Sequence, residues 1–272
     1  MERQNRYSQL IEKVFLDRYQ PGSFAVPFSR EDLSQAASEL GVTLPKNLGD
    51  IIYSFRYRTA LPDAILERAP EGQFWIIQPA GRGKYSFVAT TTATIEPNPL
   101  IGEIKVPDAT PGIISAYALS DEQSLLAKVR YNRLVDIFTG NTCYSLQNHL
   151  RTSVGGLGQV ETDEVYIGID QRGAQYVFPI QAKGGKDVLS IVQIGQDVAM
   201  CAEKFPSLLC RPVAAQFVGA DLIALFLFDS STGHPSLLAE RHYRLTQPEE
   251  IASEELDAYR HHPFDPRNTS RP

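Results

Sequence analysis

Residues 160–183 hold the chain's densest set of groups suited to chemistry: Glu161, Asp163 and Glu164 near one end, Gln181 and Lys183 at the other. Apolar, strand-like residues run between them and are interrupted by Asp170-Gln-Arg-Gly-Ala174. That break reads as a three-residue hairpin loop, with Gly173 as the left-handed residue of a G1 bulge. Asp170 then pairs with Ala174, and the ladder carries Asp163 opposite Gln181 and Glu161 opposite Lys183. Alternation places Glu161, Asp163, Val165, Ile167 and Ile169 on one face with Val177, Pro179, Gln181 and Lys183. A two-residue loop would slip the register by one and flip every side chain. Pro179 donates nothing to a ladder and marks a place for a bulge. Carboxylates beside an amide oxygen and an ammonium make a divalent-metal site suited to cutting phosphodiesters. The structural alternative is a salt bridge from Glu161 to Lys183 with Asp163 and Gln181 hydrogen-bonded, since partly buried carboxylates are costly unless paired or coordinated.

An acid on one strand followed by (Asp/Glu)-x-Lys on the next is the signature of the PD-(D/E)xK nuclease superfamily. Gln181-Ala-Lys183 resembles its Gln-x-Lys variant among type II restriction endonucleases. The wider string, Leu146-Gln-Asn-His-Leu150 through Glu161-Thr-Asp-Glu164 to Gln181-Ala-Lys-Gly-Gly185, resembles a bacterial restriction-endonuclease family over residues 120–220. The resemblance implies that Asp163 is the principal metal ligand, with the Gln181 side-chain oxygen and the Ala182 carbonyl as further ligands. Lys183 would orient or help deprotonate the attacking water, and Glu161 would be a second acid. Glu164, on the opposite face by alternation, is the weaker substitute. Mg²⁺ suits an all-oxygen shell that leaves positions for water and phosphate, with Mn²⁺ as its substitute. Glutamine in place of the usual acid removes one negative charge. It implies weaker metal binding, and either a slow nuclease or a domain that binds DNA without cutting.

The flanking sequence predicts the elements that position these residues. Gly184-Gly185 let the chain leave the strand, and Asp187 is suited to cap a helix over residues 188–204 with Val188, Ile191, Val192, Val198 and Ala202 as its apolar stripe. Gln193 and Gln196 lie on that helix, which lines the substrate cleft in the nucleases it resembles. Residues 208–218 and 222–229 read as strands. Upstream, residues 121–139 form an amphipathic helix whose Lys128, Arg130 and Arg133 read as a solvated basic face. Residues 144–151 read as a short helix offering Gln147, Asn148 or His149 to the cleft. Helix, hairpin, helix, strand resembles the αβββαβ core of the superfamily, with one core strand unassigned.

The first 96 residues read as a separate unit. Ser29 and Asp32 make a capping-box pattern ahead of a helix, Gly41 to Pro45 a turn, and Pro45 the first position of a second helix over residues 46–57. Strand-like residues 73–78 and 84–90 flank a glycine-bearing basic turn. Helix, turn, helix and hairpin match a winged helix-turn-helix domain, in which Lys46, Asn47, Tyr53, Arg56 and Arg58 face a duplex and Arg82 and Lys84 form the wing. Residues 97–118, rich in Pro, Gly and Asp, read as a linker. The nuclease domain then spans 119–246, and 247–272 form an acidic, then polar tail, poorly ordered after 257.

Composition bounds these readings. A chain of 272 residues with 43% hydrophobic content can bury one large or two medium cores. No stretch approaches the ~20 apolar residues of a membrane span. Cys143, Cys201 and Cys210 have neither metal-ligand spacing nor a disulfide pattern, as in reduced cytoplasmic proteins of bacterial type. A net charge of −6 argues against a sequence-blind DNA coater. The expectation is therefore an α/β chain, mixed α+β overall, with a restriction-endonuclease-like core behind a winged helix. Its function would be that of a Mg²⁺-dependent endodeoxyribonuclease of restriction type, acting on double-stranded DNA as a homodimer and not at a membrane. The alternatives are a non-catalytic winged-helix regulator or adaptor with a degenerate nuclease domain, and a structure-specific nuclease for junctions or repair.

Overall fold

Local signals explain the N-terminal elements. Ser29 accepts the Asp32 N–H while Asp32 accepts the Ser29 N–H, closing a capping box on helix Arg30–Leu40, and Gly41 ends it in the left-handed conformation. The computed structural model describes residues 6–119, 121–184, 187–230 and 235–261. In chain order the first elements are α1 (Arg6–Leu16), β1 (Ala25–Ser29), α2 (Arg30–Leu40), α3 (Gly49–Tyr57), α4 (Asp63–Leu66), β2 (Phe74–Pro79), β3 (Lys84–Thr90) and the two-residue β4 (Thr94–Ile95). The sheet order is β1-β3-β2, both pairs antiparallel. Its core gathers Phe15, Phe28, Leu33, Ile52, Trp75 and Phe87. Helix α1 and strand β1 are additions to the expected helix-turn-helix and hairpin. The second helix starts at Gly49 rather than at Pro45, because the Asn47 side chain accepts the Gly49 N–H and donates to Asp50.

The remaining elements are β5 (Glu103–Pro107), α5 (Gly112–Tyr117), α6 (Glu122–Tyr131), α7 (Leu134–Thr139), β6 (Thr142–Val154), β7 (Gly158–Ile169), β8 (Gln175–Lys183), β9 (Leu189–Ser190), α8 (Ile191–Lys204), β10 (Leu209–Cys210), β11 (Val213–Phe217), β12 (Leu222–Asp229), β13 (Ser236–Thr246) and α9 (Ser253–Arg260). An 8-stranded mixed sheet runs β5-β13-β12-β11-β8-β7-β6, with β10 beside β8. β11 is parallel to β8, whereas β7 is antiparallel to it. Leu125, Val129, Leu134, Phe178, Ile180, Ile223 and Tyr243 fill the core under α6 and α7. The chain forms two compact units: residues 1–95 with 152–160 and 190–196, and residues 96–151 with 161–189 and 197–272.

Several expected boundaries move. Residues 97–118 are not a bare linker: β5 pairs in parallel with β13 at the sheet edge, where its Pro107 is tolerated. The helix expected over 121–139 breaks at Arg133, whose φ of 50° is left-handed; Asn132 there holds the Ala109 N–H, Asp108 and Thr110. Residues 144–151 are strand, not helix. Leu146 and Leu150 have helical spacing, but Leu146 is exposed on β6. Asp187 does not cap α8; the Ser190 hydroxyl accepts the Val192 N–H instead. Of the tail, Glu255 in α9 pairs with Lys105 of β5, and residues beyond 261 lie outside the described residues, as does Gly185. Among the described residues no helix is long and apolar enough to cross a membrane.

Candidate active site

The hairpin turn forms as its residues dictate. The Asp170 N–H donates to Ala174 O and the Gly173 N–H to Asp170 O, with Gly173 at φ 84°. Pairs from Ile169↔Gln175 to Glu164↔Ile180 keep the expected register, and Val165↔Pro179 lies in it without a bulge. Beyond Glu164 the backbone ladder gives way to side chains. The Asp163 carboxylate accepts the Ala182 N–H at 2.8 Å, and Gln181 Nε2 donates to Glu161 O at 3.2 Å. The strands part where the acids gather.

Gln181 is 2% exposed and turns its amide nitrogen to Asp197 of α8, 3.0 and 3.2 Å from the two carboxylate oxygens. Thr162 Oγ1 donates to the same carboxylate at 2.5 Å. Strict alternation predicts Thr162 on the face away from Gln181; instead both meet Asp197. Asp197 is fully buried, and burial pushes its carboxyl up to about 7 against the pull of the Thr162 and Gln181 bonds. Burial also raises Asp163 above its ordinary range; the Ala182 N–H and Lys183 oppose this, while Glu122 adds to it. Lys183 Nζ lies 3.0 Å from Glu122 Oε1, in the first turn of α6. Lys183 is thus drawn toward Glu122, not paired with Glu161.

Glu161 departs from the expected set. Its carboxylate pairs with Arg151 Nε at 3.0 Å and faces His149 Nδ1 at 3.8 Å, both on neighbouring β6. Glu164 is buried on Arg130. Gln147 is exposed on β6, and Gln193 lies in the first turns of α8, which cluster with the N-terminal unit rather than with Asp163. In the N-terminal unit Lys46, Asn47, Tyr53, Arg58, Arg82 and Lys84 are exposed. Arg56 is not: its guanidinium packs 4.7 Å from the Tyr57 ring, and Nε and Nη2 are buried without hydrogen-bond partners. Arg56 is therefore withdrawn from the surface expected to meet a duplex.

Two neighbours of the site were missed. Asp197 carried a signal, an acid three residues from both Ile194 and Met200 on the apolar stripe of α8. Glu122 carried none, because a first-turn acid is ordinary helix chemistry. Among the described residues no three His, Cys, Asp or Glu side chains converge as a closed metal cage. Half-buried Asp163 nevertheless raises the affinity of buried Asp197 for its proton, and a divalent cation would oppose that effect. Mg²⁺ commonly takes only one or two carboxylates, the rest of its shell being water and phosphate. Of the expected donors, Asp163 has one oxygen on the Ala182 N–H and Gln181 turns its amide nitrogen to Asp197, so an open site of that kind would draw on the carboxylates.

Compared with protein-family models, with curated proteins and with solved structures, the chain matches none.

Proposed function

We propose that the chain is a divalent-metal-dependent DNA endonuclease that hydrolyses phosphodiester bonds, of restriction type. The observation that carries this reading is the end of the β7–β8 ladder at Glu164, beyond which Asp163 takes the Ala182 N–H, Asp197 takes the Gln181 amide and Lys183 pairs with Glu122. Asp163 and Asp197 would hold Mg²⁺ or Mn²⁺. When bound, such a cation polarises a phosphoryl oxygen and lowers the pKa of a coordinated water. Lys183, held by Glu122, would orient that water and offset charge gathering on the phosphate. Gln181 would keep Asp197 in place. With the short α7, β9 and β10 set aside, the succession α6, β6, β7, β8, α8, β11, with β11 parallel to β8, supports a restriction-endonuclease-like αβββαβ core.

The N-terminal unit would read the duplex as a winged helix. Its order of helix, strand, two helices, the four-residue α4 and hairpin supports that, as do exposed Lys46, Tyr53 and Arg58 around α3 and Arg82 and Lys84 at the hairpin. Cleavage of both strands favours a cytoplasmic homodimer. One observation favours the adaptor reading: Gln181 offers nitrogen rather than oxygen to Asp197, which suits a domain that binds DNA without cutting it.

Plasmid digestion in Mg²⁺ decides between them. The endonuclease yields discrete fragments that vanish in Lys183→Ala and Asp163→Asn, with losses of about 10²-fold or more. A wild-type chain that binds duplex DNA and cuts no methylated or unmethylated substrate is the adaptor. Preferential cutting of branched DNA would make it a junction nuclease.

A further inference from the structure

With the two-residue strands set aside, the two larger sheets end in four edge strands among the described residues, and three of them are guarded. In the N-terminal unit β1 carries Pro27 and β2 carries Pro79. In the second unit β5 carries Glu103, Lys105 and Pro107, and Lys105 is tied to Glu255 of α9. Proline and charge are the means by which folded proteins keep a sheet edge from pairing with another chain. The fourth edge, β6, is the longest at 13 residues, and its residues 142–148 include no proline, glycine or charged side chain.

This run is open and has the groups to pair. Residues 144–149 are exposed on both faces of the strand. An edge strand leaves alternate N–H and C=O groups without a ladder partner. Asp136 accepts the Cys143 N–H, so the open stretch begins at Tyr144. It ends at His149, whose φ of 48° breaks the extended backbone. By alternation Tyr144 and Leu146, 63% and 54% exposed, share one face.

An uncharged edge on an acidic chain narrows the choice of occupant. The net charge of −6 sets whole copies against each other, and a stretch without charge is where two copies approach at least cost. Antiparallel pairing of a strand with its own copy is self-complementary about a two-fold axis. An axis at Ser145 sets Tyr144 opposite Leu146 of the partner subunit, and Leu146 opposite Tyr144 of the partner subunit. Those are two aromatic–aliphatic cross-strand pairs on one face. We propose that β6 is the interface between two copies of this chain, joined edge to edge into one continuous sheet. The proposal gives the homodimer of the endonuclease reading its contact surface, and rests on that reading only for what the dimer does.

Sedimentation of the whole chain without metal or DNA, at about 1–100 μM to suit a small, reversible interface, tests it. The wild type should pass from monomer to dimer as its concentration rises. Leu146→Lys supplies the guard that this edge lacks and should raise the dissociation constant at least about tenfold. Tyr144→Lys should do the same, so that misfolding of either variant, seen by circular dichroism, leaves the other to decide. Leu238→Lys, at a side chain equally exposed (54%) on the interior strand β13, should dimerise as the wild type does. A wild type that stays monomeric to ~100 μM, a dimer indifferent to both β6 variants, or one that Leu238→Lys disrupts equally overturns the proposal. Mass rather than cleavage is read: a β6 dimer that cuts no DNA keeps this interface and loses the endonuclease, whereas a cutting monomer does the converse.

Discussion

A buried carboxylate persists only where donors surround it, and Asp197 obtains its donors from Thr162 and Gln181. An acid at position 181 would stand within hydrogen-bond distance of Asp197 with like charge, so glutamine is the residue that allows a fully buried Asp197 there. The strand thus carries an amide at position 181 while the acid, Asp197, stands on α8 beside it. Arg56 is the opposite case, a guanidinium taken out of water without an ionic or hydrogen-bonded partner on Nε and Nη2. Burial lowers its proton affinity, and its neighbours are the rings of Tyr57, Tyr85 and Tyr53. Methionine keeps the apolar stem and drops the desolvated charge. Arg56→Met should leave urea stability unchanged or raise it by ~1–2 kcal/mol, with duplex affinity unaltered. A drop in affinity at full stability would show that the guanidinium reaches DNA after all.

Between residue and domain, the β7–β8 hairpin was legible because one glycine-bearing turn sets its register and apolar alternation maintains it. The capping box on α2 and the β2–β3 hairpin were legible for the same local reasons. Elements whose inward faces are polar were not. Strand β13 turns Glu240 and His242 inward as a buried pair 2.8 Å apart, so its alternation looks like surface. Strand β6 is exposed on both sides from Tyr144 to His149, which erased the period-two signal. In the site itself Asp163, Gln181 and Lys183 could be read from the turn, but the local loss of alternation that brings Thr162 to Asp197 could not. Gly168 tests how tightly these strands pack. A Cβ there would lie 2.5 Å from Phe178 Cε2 and 3.2 Å from Cys143 Sγ, both in the core. Gly168→Ala should therefore cost ~1–3 kcal/mol in a denaturant titration. A variant as stable as wild type would mean that Phe178 has room to yield.

At the scale of the whole molecule, protons and any bound divalent cation would compete for the same acids. Asp197 takes its proton at about 7 when folded, against 3.8 as the ordinary value. Between those limits the native state binds more protons than the unfolded chain, so stability falls as pH rises and levels off above 7. Over about three pH units this amounts to on the order of 4 kcal/mol, with Asp163 shifting in the same direction. Other groups titrate in the same range, so the informative quantity is the difference between wild type and Asp197→Asn in chelator. That difference should favour the variant increasingly from pH 4 to 7 and then become constant. A difference independent of pH would show that Asp197 is ionised throughout. A divalent cation should act in the opposite sense, stabilising the wild type most at high pH, where both carboxylates are charged. At 100 times its dissociation constant the gain is ~2.7 kcal/mol. Melting curves in Mg²⁺ or Mn²⁺ at pH 8 should show this rise in the wild type and not in Asp163→Asn. An equal rise in both would place the cation elsewhere on this acidic chain and leave Asp163 without a metal to hold.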